Sequence, residues 1–119
     1  MEKNNKEPRF IINVSAMEGK FNRLGKSSQH AHTNMAKASL NMMTRTAGLH
    51  YSLSNIYMSS VDTGWITDEN PILKRNKEFT TPLDEIDGAM RVLDPIYIGF
   101  NQNILYHSIF LKDYKISLW

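Results

Sequence analysis

A few groups of residues in this 119-residue chain have types and spacings that chemistry uses, and none is a complete site by itself. His30 and His32 lie two apart in a polar stretch, but no third ligand follows nearby, and the pair reads as solvated loop histidines. A dinucleotide site needs closely spaced glycines where a strand turns into a helix, because only there can the backbone approach a pyrophosphate. The six glycines stand at 19, 25, 48, 64, 88 and 99, too far apart for that turn or for a P-loop. No Gly-x-Ser-x-Gly nucleophile elbow occurs. Asp84, Glu85 and Asp87 read as acids of a first helical turn rather than as paired catalytic carboxylates. With no cysteine, disulfides, thiolate nucleophiles and thiolate metal sites drop out, and no metal site is expected.

The composition suits one small folded domain. Hydrophobic residues make up 41% and charged residues 22%, close to globular averages, and 119 residues are too few for two domains. The net charge of +2 comes from 14 basic and 12 acidic residues mixed along the chain, which gives nucleic-acid binding little support. No apolar run approaches the length of about 18 residues that a bilayer span needs. The polar start Met1-Glu2-Lys3-Asn4-Asn5-Lys6 lacks a signal-peptide core, so a cytoplasmic protein without membrane contact is expected.

Strands and helices alternate along the chain. Residues 1–9 read as a polar tail and 10–119 as one α/β domain. Phe10 to Ser15 is apolar without strict alternation, the pattern of a strand buried on both faces. Gly19 to His32 reads as a loop. A helix follows from Asn34 to about Ser54, with Ala36, Leu40, Met43 and Ala47 on the face expected to meet the sheet. Met35, Ser39, Met42 and Thr46 form a softer stripe beside it. Ile56 to Val61 is the second strand, and Asp62-Thr63-Gly64-Trp65 turns out of it. Residues 66–80, with Pro71 and the run Lys74-Arg75-Asn76-Lys77, read as a solvated loop. Thr81-Pro82 opens a second helix as N-cap and first helical residue, Leu83, Ile86, Met90 and Leu93 give its apolar stripe, and Pro95 closes it. Ile104 to Leu111 is a last strand-like run. The order β-α-β-α-β implies a parallel sheet with right-handed crossovers.

Four ordered segments resemble the short-chain dehydrogenase/reductase family. Ile12-Asn13-Val14-Ser15-Ala16-Met17-Glu18-Gly19 is similar to its fifth strand and turn, commonly Asn-x-Ser-Ser-x-x-Gly. Thr33-Asn34-Met35-Ala36-Lys37-Ala38 resembles its active-site helix start, normally Tyr-x-x-x-Lys. Val61-Asp62-Thr63-Gly64-Trp65 resembles the turn after its sixth strand, and Phe110-Leu111-Lys112-Asp113-Tyr114 resembles its last strand and tail. The resemblance spans roughly residues 8 to 119. It implies the C-terminal half of a Rossmann-like doubly wound parallel sheet, with the cofactor-binding N-terminal half absent.

In that family the tyrosine is the general acid/base, the lysine lowers its pKa and binds the nicotinamide ribose, and a serine holds the substrate carbonyl. A cation beside a phenol moves its pKa toward neutrality, where proton transfer can accompany hydride transfer. By position, Lys37 matches the lysine and Thr33 stands where the tyrosine belongs. The serine position falls on Ala16, with the Ser15 hydroxyl next to it. The resemblance thus implies Lys37, Thr33 and Ser15 as catalytic positions, and Lys37, Thr63 and Gly64 as cofactor-binding ones. An aliphatic hydroxyl at 33 cannot replace a phenol, so the expectation is a protein without hydride-transfer activity by itself, with no cofactor bound to the isolated chain. The other reading is the C-terminal part of a working NAD(P)-dependent oxidoreductase completed by another segment or chain. The family's use of this helix in subunit contacts implies a homo-oligomer or related subunit packed along residues 34–54.

Overall fold

The structure is a computed structural model that describes residues 6–67, 78 and 80–119. Strand β1 (Arg9–Ser15) is followed by short 3-10 turns at Met17–Gly19 and Ser28–His30, helix α1 (Ala31–Ser52) and strand β2 (Ile56–Asp62). Helix α2 (Glu85–Gln102) and the short strands β3 (Phe110–Lys112) and β4 (Lys115–Ser117) complete it. The sheet order is β1-β2-β3-β4, with β1, β2 and β3 parallel and β4 antiparallel to β3. The alternation read from the sequence is therefore correct, with a fourth strand added. Among the described residues, no helix is long and apolar enough to cross a membrane. The basic run Lys74 to Lys77 lies outside the described residues.

Alternation along β1 sends neighbouring side chains to opposite faces, and each face meets a different helix. Phe10 packs edge-on against Phe100 of α2, with ring centroids 5.4 Å apart. Asn13 and Ser15 instead bond α1, at Thr44 and Asn41. One helix thus covers each face. β2, flanked on both sides, is buried at every position except half-buried Tyr57, and Ile56, Met58 and Val61 join Phe110 and Leu111 as the apolar core. Phe110 is fully enclosed, with Trp119 edge-on at 6.1 Å.

The face that α1 buries differs from the expected one. Asn41, Thr44 and Gly48 are its buried residues, while Met43 is 43% exposed. Apolar periodicity locates a stripe, but a helix turns toward whatever its sheet presents, and here the sheet presents Asn13, Ser15 and Ser60. Thr44 Oγ1 accepts from Asn13 Nδ2 at 2.9 Å, donates to the Leu40 carbonyl at 2.9 Å and lies 2.7 Å from Ser60 Oγ. Gly48 brings the helix onto Ser108, where an added Cβ would lie 2.6 Å from the hydroxyl. The seam between α1 and the sheet is polar and hydrogen-bonded. Met35, Met42 and Leu49 consequently face outward.

Helix α2 departs in the same way. Asp84, not Thr81, is its N-cap, its carboxylate accepting from Asp87 N at 2.9 Å. Pro95 does not end it; the helix runs through Pro95 to Gln102, and Asn103 closes it in the left-handed region with φ 54°. Proline sacrifices one helical hydrogen bond. The turns beyond it bring Gly99 and Phe100 onto Phe10 of β1, contacts that ending at Pro95 would forfeit. Gly88, Pro95 and Gly99 are the buried residues, and the expected stripe is outside, with Ile86, Met90 and Leu93 more than half exposed.

The last strand is shorter than Ile104 to Leu111. Ser108 has φ 57°, which breaks the extended run, although its N–H still reaches the Met58 carbonyl at 2.8 Å. Only Phe110–Lys112 continues as strand. Asp113 and Tyr114, with φ 49° and 62°, form the two-residue hairpin that reverses the chain into β4.

Candidate functional site

In open α/β sheets, ligands gather beyond the carboxyl ends of the parallel strands. Here Ser15, Asp62 and Lys112 share one register row across β1, β2 and β3 at that end. Ser15, Lys37, Thr63 and Gly64 therefore lie toward that end of the sheet.

Ser15 is buried, and its hydroxyl donates to Asn41 Oδ1 at 2.6 Å, with the Lys37 carbonyl at 3.3 Å. Thr33 lies in the first turn of α1, one turn before Lys37. The Lys37 ammonium donates to the Val14 carbonyl at 3.0 Å. Ser15 and Lys37 are thus neighbours whose functional atoms do not converge: the hydroxyl meets the lysine's main chain, while the ammonium reaches past it to β1. Gly64, with φ +76°, sits where L side chains are strained, and an added Cβ would stand 2.5 Å from Leu83 Cδ1. Its N–H donates to Asp62 Oδ1 at 2.6 Å, while the Thr63 hydroxyl lies 3.3 Å from the Gly64 carbonyl.

Asp62, which sequence reasoning passed over as a turn residue, organises this end of the sheet. It is 6% exposed; Oδ2 accepts from Met17 N at 2.9 Å and faces Lys112 Nζ at 3.6 Å, while Oδ1 holds Gly64. One carboxylate therefore ties together the turns after β1 and β2 and the end of β3. The available signal was an Asp-Thr-Gly sequence at the end of a buried apolar strand, where a carboxylate bonds the main chain two residues on. Lys20 is buried beside it, donating to Ser117 Oγ at 2.8 Å and lying 5.1 Å from the Phe110 ring centre. Burial and the nearby Lys112 push its ammonium pKa down, against a smaller upward pull from Asp62. Asn41 was missed as well, because its helix position falls outside the apolar stripe.

Beyond Gly64, Arg91 of α2 pairs with Asp113 and stacks on Tyr114 at 5.4 Å. The hydrogen bond from Arg91 holds the Asp113 carboxyl below its ordinary range. An open cleft of about 470 Å³ lies between residues 66–67 and 80–87, and Asp84, Glu85 and Asp87 on its wall disfavour a phosphate. Among the described residues, no three metal-ligating side chains converge.

No family model matches this chain. The uncharacterized protein R665 of Acanthamoeba polyphaga mimivirus is 40% identical over 100 residues, an alignment covering 76% of this chain and 21% of that protein. The chain thus spans about a fifth of the length of the curated relative it matches. Among solved structures, NADPH-bound carbonyl reductase from chicken fatty liver superposes with a TM-score of 0.59 at 21% identity, over 92% of this chain and 42% of the reductase. The fold is that of part of a Rossmann-type reductase. Identity this low speaks to fold alone.

The Lys37 ammonium is held by Val14, the Gly64 N–H by Asp62 and the Ser15 hydroxyl by Asn41. Three of the groups that the resemblance assigns to cofactor or substrate thus have an internal partner, and the lysine ammonium keeps two further N–H donors.

Proposed function

We propose that this chain is a short-chain dehydrogenase/reductase-like protein without hydride-transfer activity of its own, a body retained for assembly rather than for proton transfer. The observation that carries this reading is the Lys37 ammonium bonded to the Val14 carbonyl at 3.0 Å, one turn from a threonine where a phenol would be needed. A threonine hydroxyl has no accessible ionisation near neutral pH, and an ammonium bonded to a main-chain carbonyl serves the strand. Lys37, Thr33 and Ser15 are structural in this reading, and Thr63 and Gly64 shape a turn held by Asp62. A related subunit would pack along residues 34–54, where Met35 and Met42 are exposed. Loss of that association in Met42→Glu is its test.

The activity reading is tested by titrating the 119-residue chain with NADPH, followed by nucleotide fluorescence and calorimetry. No saturable binding and no NADPH consumption with aldehyde or quinone substrates is the expected result. Saturable binding, or turnover above the buffer rate, would overturn it. The reductase likeness favours one other reading, in which the chain is completed by another segment into a working oxidoreductase; binding that appears only with such a segment would support it.

A further inference from the structure

We draw no further inference here: the strongest candidate, the buried Lys20 ammonium between Ser117 and the Phe110 ring at the carboxyl end of the sheet, belongs with Asp62 and Lys112 to the site already described, and nothing beyond its lowered pKa points to a ligand or a reaction there.

Discussion

Thr44→Val should be one of the more damaging substitutions in this chain, although it replaces a helix residue by an apolar one of the same shape. Thr44 is fully buried, and its hydroxyl uses its whole capacity: it donates to the Leu40 carbonyl and receives Asn13 Nδ2 at 2.9 Å and Ser60 Oγ at 2.7 Å. Valine keeps the packing and leaves both donors without an acceptor. Ser60 is 0% exposed and bears the full penalty of an unpaired buried group, about 1–3 kcal/mol, whereas half-buried Asn13 recovers part of its loss from water. The expected total is about 2–4 kcal/mol, read as a lower urea midpoint at unchanged slope. Thr44→Ser keeps the hydroxyl and loses one methyl, about 1 kcal/mol. Adding Ser60→Ala to Thr44→Val should recover part of the loss, because the orphaned hydroxyl goes with its partner. Met43→Ala, which an apolar-face reading ranks as the core mutation, should cost under about 1 kcal/mol, since Met43 is 43% exposed. If valine is tolerated as well as threonine, or Met43→Ala is the more damaging change, the polar seam is wrong.

Two further predictions follow from the carboxyl end of the sheet. Gly64→Ala should destabilise by about 1–3 kcal/mol, because it places a Cβ at φ +76° against Leu83; a variant melting with the wild type would refute the turn geometry. Asp113 has a folded pKa depressed chiefly by its bond to Arg91. Its contribution is present above the unfolded value of about 3.9 and is lost as pH falls from there through the lower folded value. Asp113→Asn should therefore flatten stability against pH below about pH 4 and lower it at neutrality by about 1 kcal/mol, since the Asp113 side of the pair is 59% exposed to solvent while the Arg91 side chain is largely covered. An unchanged acid limb would refute the pairing.

The strand-helix alternation was legible because β1, β2 and the helical stretches differ in period and composition, and those are local properties. Asp113-Tyr114 and the fourth strand were not, because two non-glycine residues at positive φ give no turn signal. The resemblance pointed to residues at the carboxyl end of the strands. It did not reveal that Lys37 bonds the Val14 carbonyl and Ser15 bonds Asn41, since that depends on how α1 rests on the sheet.

The sequence by itself determined that this is a small α/β fold and where β1, β2 and α1 lie. Only the tertiary structure decided which side of each helix is inside. Asn41, Thr44 and Gly48 are buried because Asn13, Ser15, Ser60 and Ser108 lie beneath them, and Pro95 lies inside α2 because Gly99 and Phe100 meet Phe10. A periodicity records what a helix offers. The partner strand, folded against it from elsewhere in the chain, selects which face is taken.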